Sequence, residues 1–302
     1  MAALLLNWRG AAMTLQCLGD LLRVDGVTLL VLVIDNGSGA AEVDRLRAGI
    51  DAADANGHAI ELLALPDNLG FTGGMNRGLR LAAARAVPFA LVLNNDLRLP
   101  ADFLRPLVDV LRHDASVAAV GPTVVHPDGT VWAEGGAVAF AANALRLHGH
   151  GRSPRPPSHG PEEVGFVPGA CLLLRTAAAA EIGFFADDYF MYWEDVDLGA
   201  RLRRQGHKNI WLPWVQVEHH AGSSSGGGRS PLRKFLMACN AVRYLKACGG
   251  AQGWLGWFVF DVLLWPLAFA RGPRAACAKL RGTVAGLCGH RASAADVIRY
   301  LG

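Results

Sequence analysis

Four short apolar runs, each stopping at a polar cluster, constrain this chain most. Residues 3–7, 27–34, 59–65 and 88–93 read as strands. Residues 11–23 and 74–86 carry helical spacing, with Met13, Cys17 and Leu21 on one face of the first. Strands that are apolar throughout and alternate with helices predict a parallel sheet covered on both faces. Asn7 and the polar clusters at 35–38, 68–74 and 94–96 all follow strands. Ligands bind at the carboxyl ends of such strands, so four strand ends meeting at one edge are the first functional signal.

Further along, residues 148–165 are rich in Gly, Pro, His and Ser and read as a loop. A helix starts at Glu194, presents Leu198 and Leu202 as its apolar face, and closes at Gly206. A strand over 210–217 leads to Glu218, His219 and His220. The run SSSGGGRS at 223–230 reads as a hinge or linker. A helix over 232–247 and a Trp-rich apolar run over 254–270 come after it. Two regions result: 1–225, and a helical extension over 226–302.

Charge separates them. The whole chain is near balance, at +3. From Gly226 onward there are 11 Lys/Arg against 2 Asp/Glu, a net of +9, which leaves −6 for the remainder. A basic end suits an anionic partner. Its basic residues flank an apolar run, which favours a lipid surface over nucleic acid. The 17 residues of 254–270 are interrupted by Gly256, Asp261 and Pro266. A spanning helix needs about 20 apolar residues, so an interfacial helix is expected in preference to a span. Trp254, Trp257 and Trp265 would then sit at headgroup level, with Lys246, Arg271, Arg274, Lys279 and Arg281 near anionic lipid. The six cysteines form no CxxC pair and sit among small apolar residues, which argues against a zinc ribbon or a disulfide scaffold. No secretory signal is read at Met1, and a cytoplasmic setting is expected.

Three clusters carry chemistry. An acidic residue just past a buried strand, as in Asn94-Asn95-Asp96, can hold Mg²⁺ or Mn²⁺ together with a diphosphate; a plain strand-ending turn is the alternative. The stretch Gly70-Phe71-Thr72-Gly73-Gly74-Met75-Asn76 opens a helix, where glycines and the helix N-terminus favour an anion, or where glycines simply pack a helix on a sheet. Glu194-Asp195 opens another helix behind Tyr189, Phe190, Met191, Tyr192 and Trp193. A carboxylate there is a dipole partner, or a general base whose pKa the aromatic residues raise. His219 beside this set is structural or a third ligand.

These motifs, taken in order with Leu4-Leu5-Leu6-Asn7-Trp8 and Val33-Ile34-Asp35-Asn36-Gly37-Ser38, resemble family 2 glycosyltransferases of the GT-A fold, and especially their bacterial rhamnosyltransferase-like branch. The resemblance runs from about residue 4 to 224. It implies an α/β GT-A domain, with a mixed Rossmann-like sheet and helices on both faces, followed by the helical extension. It implies donor contacts from Leu6, Asn7, Trp8, Asp35, Asn68, Gly70, Phe71, Gly73, Gly74, Asn76, Asn94 and Asn95, with Asp35 reading the base. It also implies metal contacts from Asp96 and His219, a catalytic Asp195 with Glu194 beside it, and an acceptor side at Trp193, Gly169 and Ala170. Asn94 and Asn95 replace the first two places of the usual Asp-x-Asp pattern, leaving one carboxylate there.

The expected reaction is metal-dependent, inverting transfer of a sugar to a hydroxyl of a glycan or polyprenyl-linked acceptor in cell-surface polysaccharide synthesis. The nucleoside-diphosphate donor is dTDP-rhamnose first and a UDP-sugar second. The extension suggests peripheral contact with the inner face of the plasma membrane, and a homodimer is left open. A non-catalytic nucleotide-sugar-binding protein is the competing class, but Glu194-Asp195 is intact. A dehydrogenase lacks its GxGxxG after the first strand, and a nucleotidyltransferase lacks its Gly-rich loop with trailing Arg and Lys.

Overall fold

The computed structural model describes residues 1–139, 145–156, 160–220 and 230–301. The apolar runs become strands β1 (Ala2–Asn7), β2 (Leu30–Asn36), β3 (Ala59–Leu65) and β4 (Phe89–Leu93). They pair in parallel, in the order β4-β1-β2-β3. Helices α1 (Ala11–Leu21), α2 (Ala40–Asp51) and α3 (Gly70–Ala84) connect them. The α2 helix was not expected, and α3 starts four residues earlier than its spacing indicated.

The rest of the sheet is mixed. It is built from β5 (Leu97–Arg98), α4 (Leu104–His113), β6 (Val117–Val125), β7 (Val131–Ala133), the small hairpin β8 (Gly136–Val138) and β9 (Leu145–Leu147), β10 (Glu162–Glu163), β11 (Cys171–Arg175), α5 (Thr176–Glu181), α6 (Glu194–Arg204) and β12 (Lys208–His219). Strand β11 runs antiparallel to both β4 and β6, and β12 runs parallel to β6. The parallel strands read from the apolar runs thus sit within the mixed sheet that the resemblance implied. Apolar runs report burial on two faces, not strand direction, and β11 is buried on both faces like its parallel neighbours.

Two cores flank the sheet. Ala3, Leu5, Val31 and Val33 meet Cys17, Leu18, Leu21, Leu104 and Leu107 on one face. Ala2, Leu4, Leu32 and Ile34 meet Met75, Leu79, Leu198 and Leu202 on the other. The alternation within each strand supplies both faces.

The 148–165 loop is anchored where it is described. Arg155 pairs with Glu134 at 2.8 Å and Glu162 at 2.6 Å, and its guanidinium lies 4.0 Å from the Trp211 ring centre.

Beyond the sheet come α7 (Pro231–Cys248), α8 (Ala251–Trp257), a π-helical turn (Phe258–Leu263), α9 (Trp265–Arg271), α10 (Pro273–Leu287) and α11 (Ala294–Leu301). Most of the 223–230 linker lies outside the described residues. The α7 helix packs along α10 and seats Ala241 and Tyr244 against Tyr189, Trp193 and Val196 of the α/β part. Among the described residues, no helix is long and apolar enough to cross a membrane.

Two details of the expected interfacial helix are corrected. The tryptophans turn inward: Trp257 is buried against Val242 and Leu245, and Trp265 donates from Nε1 to the Ala276 carbonyl at 2.9 Å. Two basic residues are used internally. Lys279 pairs with Asp261 at 2.5 Å, and Lys246 donates to the Gly286 and Leu287 carbonyls. An aspartate in an apolar run needs a partner once it is enclosed, and Lys279 provides one. The Arg271 side chain lies outside the described residues.

Candidate active site

The four polar clusters meet at the carboxyl edge of the parallel strands, joined by buried amides. Asn7, wholly buried, donates to Asp35 Oδ1 at 2.7 Å and accepts from Thr14 Oγ1 at 2.8 Å. Thr14 accepts in turn from Asn95 Nδ2 at 2.9 Å. Asp35 accepts at its other oxygen from the Ser38 backbone N–H at 3.0 Å. This network locks the ends of β1, β2 and β4 and the start of α1 into one polar floor. Both Asp35 oxygens are engaged within it, and the residue has no exposed surface.

The β3 end is tied in separately. Asn36 donates to Asn68 Oδ1 at 3.0 Å and to the Gly70 carbonyl at 2.9 Å, and accepts from the Leu69 N–H. Asn68 Oδ1 also caps the Gly70 N–H at 2.8 Å. Gly70 has φ +74, and a Cβ there would stand 2.3 Å from the Phe190 carbonyl oxygen. Any other residue would be strained and would push the 189–193 loop away. Gly74 lies flush with the sheet, where a Cβ would meet Leu6 Cδ1 at 2.5 Å. It therefore packs helix on sheet, and Leu6 faces it. Gly73 and Phe71 are half-buried at the helix opening. Asn76 does not reach that opening: it is wholly buried and donates to the Phe185 carbonyl at 2.9 Å and Asp187 at 2.7 Å.

Asp96 and His219 come together from the ends of β4 and β12. Their Oδ1 and Nε2 atoms are 3.1 Å apart, without hydrogen-bond alignment. Asp96 Oδ1 and His219 Nδ1 are buried and have no hydrogen-bond partner. Asn94 Nδ2 lies 3.5 Å from His219 Nε2, and the Trp132 ring stands edge-on to His219 at 4.8 Å. Adjacent ligands of an octahedral cation with bonds of about 2.1 Å are about 3 Å apart. A carboxylate and an imidazole at that spacing, with an unsatisfied buried oxygen, fit one divalent ion. Among the described residues no group of three such ligands forms, so two protein ligands would leave the remaining positions to phosphate oxygens and water.

Asp195 opens α6. Its Oδ2 accepts from the Gly169 N–H at 2.9 Å and its Oδ1 from the Val196 N–H at 2.8 Å. The Ala170 carbonyl accepts from the Asn94 N–H at 3.0 Å, so the 169–170 segment links Asp195 to the Asn94–Asp96 corner. Phe71 borders Gly169 on the other side. Burial raises the Asp195 pKa above the ordinary 3.8, and the N–H groups of Gly169 and Val196 pull it partly back. Glu194, 7% exposed, is pushed well above its ordinary value by burial and then by the charge of Asp195. Two carboxyls enclosed side by side resist carrying charge at the same time.

The turn before Asp195 is strained. Tyr192 and Trp193 both have positive φ, at 70° and 74°. Asn240 of α7, wholly buried, donates to the Met191 and Tyr192 carbonyls at 2.9 Å each and holds that turn. Trp193 is 1% exposed, with its ring 5.2 Å from that of Tyr244. It is enclosed with Tyr189, Val196 and Ala241, so the side expected to meet an acceptor is packed inside the protein.

A protein-family model described as "Glycosyl transferase family 2" matches residues 8–183, more than half of the chain. The chain belongs to glycosyl transferase family 2. Residues 8–183 include Asp35, Asn68 and Asp96 but stop before Asp195 and His219. Among curated proteins, the chain is 29% identical over 214 residues to the N-acetylglucosaminyl-diphospho-decaprenol L-rhamnosyltransferase of Mycobacterium tuberculosis, covering 65% of this chain and 69% of that one. It is 25% identical to the low-salt glycan biosynthesis hexosyltransferase Agl10 of Haloferax volcanii, over 65% of this chain and 59% of that one. Among solved structures it resembles GalNAc-T7 with UDP, GalNAc and Mn²⁺, with a TM-score of 0.62 and 14% identity over 81% of this chain and 47% of that one. It also resembles the mannosyltransferase PcManGT of Pyrobaculum calidifontis in complex with GDP-Man and Mn²⁺, with a TM-score of 0.59 and 14% identity over 95% and 86%. The fold is GT-A, and this family 2 member is a glycosyltransferase.

Sequence reasoning missed Thr14, Trp132 and Asn240, and gave Asn36 no role beyond its place in the 33–38 motif. Asn240 alone carried a visible signal, a polar residue between apolar Cys239 and Ala241 on an otherwise buried helix face.

Proposed function

We propose that this glycosyltransferase moves a sugar from a nucleoside diphosphate to an acceptor hydroxyl with inversion, the donor being dTDP-rhamnose first and a UDP-sugar second. The observation that carries the reading is Asp195, a carboxylate of raised pKa fixed by the Gly169 N–H and connected through 169–170 to the Asp96–His219 pair. The mycobacterial relative is named for L-rhamnosyl transfer onto a diphospho-decaprenol-linked sugar, which supports both the donor and a polyprenyl-linked or glycan acceptor.

Asp195 accepts the proton of the acceptor hydroxyl as that oxygen attacks the anomeric carbon. The Gly169 N–H keeps the carboxylate aimed while it acts. Attack opposite the leaving diphosphate gives one displacement, hence inversion. Trp8 and Asn68 serve the nucleoside side, over the floor that Asn7 and Asp35 form. Gly73 and Phe71 border the path at the α3 N-terminus, which suits negative charge. Asp96 and His219 would hold Mg²⁺ or Mn²⁺, which when bound neutralises charge on the departing diphosphate. Thermal-shift titration with dTDP-rhamnose, UDP-glucose and GDP-mannose in Mg²⁺ should raise the melting temperature for the preferred donor by mass action. The strongest shift is expected with dTDP-rhamnose. No shift with any of them would defeat the donor reading.

The extension supports peripheral contact with an anionic membrane, where a polyprenyl-linked acceptor would be met. Leu255, Leu263 and Leu267 are 65%, 57% and 57% exposed. Phe258, Phe269 and Val284 add to this surface, and Arg274 and Arg281 are exposed beside it. Large exposed apolar side chains grouped on one region mark an interaction surface, and basic neighbours favour anionic lipid. The full chain should co-sediment with phosphatidylglycerol vesicles at low salt, and the Leu263→Asp/Leu267→Asp variant should stay in the supernatant. Equal distribution of the two proteins would remove the case for docking.

A further inference from the structure

The C-terminal helix reaches the donor end of the molecule. A cavity of about 370 Å³ is bounded on one side by Trp8, Arg9, Gly37 and Asn68, at the ends of β1 and β2 and in the loop after β3. Its other side is Ala294, Val297 and Ile298 of α11. A volume of this size falls in the range of small-molecule sites.

We infer that α11 forms the outer wall of the nucleobase pocket, so that Val297 and Ile298 help set how tightly the donor's base is held. The inference rests on the donor reading above and extends it to a segment outside the α/β domain.

The chemistry of the lining fits a pyrimidine base. Trp8, Val297 and Ile298 give apolar surface for the faces of a ring. Asn68 gives a polar edge. Its Oδ1 already accepts from Asn36 and from the Gly70 N–H, so the NH2 is the side of the amide that can donate to a base carbonyl. Arg9 lies at the rim with its guanidinium 5.2 Å from the Trp8 ring centre, and its backbone is held at φ 55 while its N–H donates to Ser38 at 2.9 Å. A residue kept in that sparsely populated region, with its neighbour lining a cavity, fits a recognition site.

The wall is anchored, not loosely laid over the opening. Val297 is buried with Phe235 and Leu236, and the Tyr300 ring lies 5.2 Å from that of Phe235. Asp296 accepts from the Ser293 N–H at 2.9 Å and pairs with His290 at 3.0 Å. One face of α11 is therefore built into the fold. Ile298, on the cavity side, is 72% exposed, so it can be replaced without opening a core.

The test uses the full chain with Mg²⁺ and isothermal titration of UDP, dTDP and inorganic pyrophosphate. Ile298→Asn removes the apolar cover without adding charge, and should weaken UDP and dTDP about fivefold, on the scale of part of one buried aliphatic side chain. Pyrophosphate affinity and melting temperature should not change. Ile298→Ala should weaken both nucleotides in the same direction by less. Nucleotide affinities within twofold of the unaltered chain, or an equal loss for pyrophosphate, would overturn the wall. If the unaltered chain binds neither nucleotide, the donor reading fails and this inference fails with it.

Discussion

Asp195→Asn is expected to lower sugar transfer at least about 100-fold while leaving donor affinity within about twofold. The amide keeps the shape of the carboxylate and can still accept from the Gly169 N–H, but it cannot take a proton. The loss should therefore fall on kcat, read as nucleoside diphosphate released per unit time, with donor binding measured by calorimetry. The pH profile of the unaltered enzyme gives a second reading. A general base works deprotonated, so activity falls as pH drops through the pKa of Asp195. Burial raises that pKa above the ordinary 3.8, so the acid limb should lie at higher pH than an exposed aspartate would give. Near-normal turnover in Asp195→Asn would remove this residue from the chemistry.

Asp96→Ala is expected to abolish the part of donor binding that depends on Mg²⁺ or Mn²⁺. The Asp96–His219 pair is 3.1 Å apart, and Asn94 and Asn95 supply no second carboxylate. If Asp96 and His219 hold the ion, removing Asp96 leaves the imidazole alone, too little to hold a hard cation that prefers oxygen. The unaltered chain should bind UDP and dTDP less tightly in excess EDTA than in Mg²⁺, and the variant should bind them equally in both. Unimpaired sugar transfer in EDTA would show that neither residue serves a metal.

The strand–helix alternation was legible because burial on two faces leaves a local signature, a short run that is apolar at every position. β1, β2 and β4 came from such runs, while β3 carries Glu61 and is only half-buried; the polar residues that end the four strands gather at their carboxyl edge. The direction of β11 was not legible. Strand direction depends on which neighbour the chain returns to, and no local pattern encodes that choice. The α2 helix was missed for a different reason: it buries only Leu46 fully, so its apolar stripe is too thin to stand out.

The motifs single out positions, not what the residue at each position does. Trp8, Asn68, Asp96, Asp195 and His219 were named from sequence and lie at the strand-end opening or beside it. Asp35, Asn76 and Trp193 were named with them, yet all three are enclosed, the first two with their side-chain atoms committed to neighbouring loops. A motif reports that a residue type is needed at a position; it does not separate a group that touches substrate from one that holds the loop that does.

The sequence by itself determined where the two-faced strands stop, because an apolar run can end in polar residues only where the strand leaves the packed core. Only the tertiary structure decided that the C-terminal helices enter the site. Asn240 holds the turn before Asp195 from 45 positions downstream, and α11 faces Trp8 across a cavity. Contacts between residues so far apart are set by how whole elements pack, and packing depends on the joint shape of both surfaces, which no stretch of either sequence contains.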